Sequence, residues 1–131
     1  MDTLFLIGRI ILGGFFIYSG LNHFLGFGMM ANYTKMKGVP LPQLAVAITG
    51  LMLILGGLSI VLGAYPNVGI ALLAGFLIPV SLLMHNFWKI QDPQLKVADK
   101  VNFTKNMALL GAVLMFLAIP RPWPLSVMLW W

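Results

Sequence analysis

Long apolar stretches alternate with short polar links along this chain. The first apolar stretch runs from about Thr3 to Phe27 and carries one charge, Arg9, and one histidine, His23. A polar link, residues 28–40, follows with Lys35 and Lys37. Pro40 and Pro42 then suit a helix start, where a missing N–H does no harm. The second stretch, about 41–63, holds no charge. Gly63-Ala64-Tyr65-Pro66-Asn67 reads as a tight turn. The third stretch, about 68–88, contains Pro79, which is expected to kink its helix by removing one backbone hydrogen bond. A polar link, 89–104, leads to the fourth stretch, about 102–119, which stops at Pro120. Each stretch approaches the ~20 residues that a bilayer-spanning helix needs.

The pattern predicts an all-α fold: an integral membrane four-helix up-down bundle, in one domain over residues 1–131. The tail, 120–131, is broken by prolines and too short to span. Its Trp123, Trp130 and Trp131 suit the membrane interface. Gly13 and Gly20 share a face of the first helix, and Gly50, Gly56 and Gly57 lie in the second. Small residues of this kind let helices approach closely in lipid.

Composition agrees with a membrane solvent. Hydrophobic residues make up 60% of the chain and charged residues only 8%, whereas a soluble surface needs roughly a quarter charged. The net charge of +5 comes from eight Lys and Arg against three acidic residues, all Asp. These basic residues sit between apolar spans, so they set orientation and do not suggest nucleic acid. Lys35, Lys37, Lys89, Lys96, Lys100 and Lys105 all flank the two links that share one side, against Arg121 and Arg9 on the other. The positive-inside rule then places the links 28–40 and 89–104 in the cytoplasm and both termini outside. The chain has no cysteine, which excludes disulfides, thiolate metal sites and dithiol redox chemistry. With two histidines and three aspartates no metal site is expected. The N-terminus shows no basic segment or small-residue cleavage site, so the first stretch is expected to stay as a helix.

Two places concentrate polar chemistry. Asn22 and His23 close the first helix, His85 and Asn86 close the third, and Lys105 and Asn106 open the fourth. All six are expected at one depth on the side of the links, rimmed by Trp88 and Lys89. Amides, imidazoles and one cation suit a polar headgroup or a quinone carbonyl, and histidine titrates near neutral pH. The same residue types also anchor helix ends in the headgroup layer, and both readings stand at this level. Arg9, about 10 Å inside the first helix, shares a face with Gly13, Phe16, Gly20 and His23. It either snorkels to the outer interface or faces the bundle, where no span offers it a carboxylate. Backbone carbonyls, hydroxyls of another helix or lipid phosphate are then its partners. Asp92 and Asp99 fall in the second link and are expected to be solvated. Nine methionines without a repeat spacing read as packing.

The run His85-Asn86-Phe87-Trp88, then Asp92-Pro93-Gln94, then Asn102 to Gly111, resembles the DoxX-like family of small membrane proteins. So do Arg9 with Gly13, Phe16 and Gly20, and Gly50-Leu51 with Gly56-Gly57. The resemblance covers about residues 5–118. It implies a four-helix membrane fold, a bacterial inner membrane and a small membrane subunit of a quinone-linked oxidoreductase, which anchors partners and binds quinone. Distant relatives imply the alternative: a membrane chaperone, assembly factor or lipid-binding subunit without redox role. Many members carry a glutamate in the second helix where this chain has Leu53. That departure weakens proton or redox chemistry in this chain and favours packing or assembly. No intrinsic cofactor is expected, and no catalysis by this chain alone. Membrane lipid and protein partners, in a complex or a homo-oligomer, are the expected company.

Overall fold

Each apolar stretch folds as one helix in the computed structural model, which describes residues 1–127. Helix α1 spans Asp2–Leu25, α2 Phe27–Met36, α3 Pro42–Leu62, α4 Pro66–Leu83 and α5 Pro93–Met115. Short 3-10 turns occupy Phe87–Lys89 and Phe116–Ala118. Four of the helical segments are long and apolar enough to cross a membrane. The protein is an all-α integral membrane bundle.

Backbone proximity holds the first long pair together. The face of α1 made by Arg9, Gly13, Phe16 and Gly20 is buried, as its spacing predicts. A Cβ on Gly13 would lie 2.6 Å from the Gly57 carbonyl oxygen, and one on Gly20 would lie 2.7 Å from that of Gly50. Only glycine permits this approach of α1 to α3, at two levels. Leu53, Ile60, Leu73, Leu77 and Val113 fill the core between α3, α4 and α5.

Turn chemistry sets where the helices start and stop. Gly63 follows α3 with φ +68°, the left-handed geometry that suits glycine at a helix C-terminus. Pro66 and Pro42 stand in the first turns of α4 and α3, where proline's lost donor costs nothing. Within α4, Pro79 has no N–H for the Gly75 carbonyl four residues back.

The links differ from the expected ones. Residues 28–40 are not simply extended polar chain: α2 occupies most of them and packs on α3, burying Ala31 and Thr34. Residues 89–104 are largely helix. Asp92 Oδ1 accepts from the backbone N–H groups of Gln94 (2.9 Å) and Leu95 (3.1 Å), and Pro93 takes the first helical position. That N-cap starts α5 about nine residues before the expected 102. Helix α4 ends at Leu83, so His85 and Asn86 follow this helix instead of closing it, within an apolar segment that runs on to Lys89.

The tail also departs from its expectation. The Trp123 ring is not exposed for headgroups to meet; it is buried against Phe5 and Phe116, with ring centroids at 5.6 and 5.1 Å. Trp130 and Trp131 lie outside the described residues.

The long helices pack in the order α1, α3, α4, α5. Helices α1 and α5, which would close this ring, have no Cα atoms within 8 Å of each other.

Candidate functional site

A partly open cavity of about 710 Å³ lies among the five helices. Phe16 and Leu53 and, from α4, Phe76 and Leu77 give it apolar walls. Asn22 and His23 on α1, His85 just after α4, and Lys105 and Asn106 on α5 bring polar groups to it, and Thr34 of α2 and Thr49 of α3 add hydroxyls. Five of the six residues expected to cluster therefore line one cavity. Asn86 does not line it; its Oδ1 accepts from Lys37 Nζ at 3.3 Å.

Each histidine is held by one nitrogen. His23 Nδ1 lies 2.8 Å from the carbonyl oxygen of Ser19, one turn back on α1. A carbonyl only accepts, so Nδ1 carries the proton, and in the neutral ring Nε2 keeps a lone pair. The ring also meets Phe76 edge-on at 5.9 Å. His85 Nδ1 lies 3.2 Å from Asp99 Oδ1. The carboxylate orients this second ring, as acids commonly orient histidines at functional sites.

Asp99 is the residue that the sequence reading missed. It is not solvated: it is 6% exposed, on α5, with Oδ2 bound to Lys37 Nζ at 2.8 Å and Oδ1 to His85. The tie joins α2, α5 and the segment after α4. A signal was present. Once Asp92-Pro93 is read as a helix start, Asp99, Asn106 and Val113 recur every seventh residue, and these are the buried residues of α5. Lys37, read only as an orientation signal, is the partner of this buried acid.

Lys105 sits at the rim. It is exposed, with Nζ 3.4 Å from Asn102 Oδ1 and 5.9 Å from the Phe15 ring of α1. Asn106, one residue on, is 6% exposed. Leu53, standing where the resemblance expects a glutamate, is fully buried in the cavity wall. Among the described residues no three acidic or histidine side chains gather as a metal site would require.

Arg9 lies away from this cavity and does not snorkel. It is fully buried, with Nε bound to the Ile60 carbonyl (3.0 Å), Nη2 to Val61 (2.7 Å) and Nη1 to Pro124 (2.7 Å). Phe5 and Trp123 flank the guanidinium, each ring centroid 5.6 Å away. The cation thus caps the C-terminal carbonyls of α3, where a helix favours positive charge. It also fastens the tail to the bundle.

A family model, DoxX, matches residues 4–86, more than half of the chain. The chain belongs to the DoxX family. The DoxX match takes in α1 to α4, with Arg9, the paired glycines, His23 and His85. It ends at Asn86, so α5, with Asp99, Lys105 and Asn106, lies beyond it. No curated protein and no solved structure matches this DoxX protein.

Proposed function

We propose that this protein is a small accessory subunit of a quinone-linked oxidoreductase complex, which anchors its partners and holds a quinone in the cavity. One observation carries the reading. His23, His85, Lys105 and Asn106 converge on a mainly apolar cavity of about 710 Å³, within the range of about 300–1,000 Å³ usual for small-molecule sites. A quinone ring is flat and apolar with oxygens at its two poles. The Lys105 ammonium and the Asn22 and Asn106 amides donate to carbonyl oxygens, and imidazole nitrogens accept from hydroxyls of the reduced ring. The aromatic walls take its faces. Moving electrons to or from the ring falls to a redox-active partner; this chain's residues bind and orient.

The setting proposed is a bacterial inner membrane, with the links 28–40 and 89–104 in the cytoplasm and both termini outside. Six lysines around those links support this orientation. The cavity then faces the cytoplasmic half of the bilayer.

A second reading has an observation of its own. The Lys37–Asp99–His85 tie joins three segments, as a structural latch does. A membrane chaperone, assembly factor or lipid-binding subunit needs such a latch and no quinone.

Mild-detergent purification, with mass spectrometry of proteins and small molecules, separates the two. Redox partners with bound quinone, lost in His85→Ala or Lys105→Ala, support the first reading. A homo-oligomer holding only lipid supports the second.

A further inference from the structure

The seam between α1 and α5 is the least closed part of the molecule. Each helix packs against a neighbour on its other side, yet no Cα of one comes within 8 Å of a Cα of the other. Side chains alone cross the gap. Lys105 reaches over Phe15 at one end, and Phe5 meets Phe116 at 5.8 Å at the other. Gly8 faces this seam and a Cβ there would meet nothing within 4 Å, unlike Gly13 and Gly20 on the packed side of the same helix.

The seam contains a second hollow of about 650 Å³, lined by Gly8 and Leu12 of α1 and Ala112 and Met115 of α5. It lies end to end with the first along both helices. Phe15 and Phe16 of the polar cavity stand one turn from Leu12, and Leu109 of that cavity stands one turn from Ala112. From Asn22 to Leu4 the two run roughly 27 Å along α1, close to the ~30 Å hydrocarbon core. The combined space is polar at one end only. Arg9 borders the apolar end, but its guanidinium is bound to main-chain carbonyls.

We infer that the seam is a lateral portal and a tail groove. The ligand of the cavity is a membrane-dissolved molecule with one polar ring and one long apolar tail. It passes between α1 and α5 from the bilayer, its ring stops at His23, His85 and Asn106, and its tail lies along Leu12, Ala112 and Gly8. Two features select this occupant over an ordinary bilayer lipid. The groove lies one helix turn from the polar cavity on both α1 and α5, and apart from the bound Arg9 the polar side chains line only the cavity end. The inference rests on the quinone reading above and adds the tail as a recognised part.

The test uses the full chain in lipid nanodiscs and two probes with the same benzoquinone ring, one with a four-isoprene tail and one without. Gly8→Phe fills the groove at a position with open space, and Ala112→Phe fills it from the opposite helix. Both variants are expected to bind the tailed quinone about tenfold more weakly, as loss of a few buried methylenes implies, with tailless affinity unchanged. Unchanged affinity for the tailed probe, or equal loss of both probes, overturns the groove. Failure of wild-type protein to bind either probe overturns the quinone reading as well. The chain has no cysteine, so Leu12→Cys with Ala112→Cys places the only thiols across the seam. Bridging them with a bis-maleimide is expected to slow uptake of the tailed quinone; an unchanged rate overturns the portal.

Discussion

Asp99 holds His85 by its Nδ1 at 3.2 Å, from a helix turn that the local sequence presents as a polar link. The same carboxylate takes Lys37 at 2.8 Å. A cavity residue and two connecting segments thus depend on one buried acid.

Removing that acid leaves Lys37 and His85 facing each other without their shared partner. Asp99→Ala is expected to destabilise the protein by about 1–3 kcal/mol, the cost of stranding buried polar groups. Thermal melts of wild type, Asp99→Ala, Lys37→Ala and the double variant check this. Strong non-additivity, about 0.5–3 kcal/mol, is the expected sign of direct coupling. Additive losses would mean that the two side chains act independently.

Arg9 is predicted to matter through the tail. Arg9→Met keeps bulk but deletes the donors to Ile60, Val61 and Pro124. Hydrogen exchange over residues 120–127 should speed up, because the bond from Val127 N–H to the Leu62 carbonyl lies in the segment Arg9 fastens. Exchange in the middle of α4 should change less. Equal acceleration throughout would show a general loss of fold and no specific clasp.

Gly13→Ala and Gly14→Ala differ by one position and should differ sharply in effect. A Cβ at Gly13 meets the Gly57 carbonyl oxygen at 2.6 Å, while one at Gly14 meets nothing within 4 Å. The first variant is expected to lose about 1–3 kcal/mol from overpacking. The second should be near neutral. Similar melting temperatures for the two would contradict the close α1–α3 contact.

Much of this was legible along the chain. Four apolar stretches and the spacing of Arg9, Gly13, Phe16 and Gly20 state the spans and the packed face of α1, because both are local patterns. The start of α5 is displaced in the sequence reading because Lys96, Asp99 and Lys100 look like link residues, although Asp92-Pro93 carries a helix-start signal. The pairing of Lys37 with Asp99 joins residues 62 positions apart, and no local period encodes it. Trp123 was read as interfacial because aromatic residues after a proline-broken helix usually are. Its burial depends on Phe5 and Phe116 and on Arg9 holding the Pro124 carbonyl, which is tertiary information. Helix ends place His23, His85 and Asn106 at one end of the bundle; that they line a cavity and Asn86 does not is tertiary information, because it turns on which way each side chain points.

The central claim is that the polar cavity binds a quinone ring through this chain's own side chains. Titration of the tailed benzoquinone into nanodisc-embedded protein tests it most directly, comparing wild type with His85→Ala, Asn106→Ala and, as a control outside the cavity, Lys96→Ala. Saturable binding that weakens by about tenfold in the two cavity variants, and persists in the control, is the predicted result. Binding that is absent, or identical in all four proteins, would contradict it and leave His85 as part of a structural latch with Asp99 and Lys37.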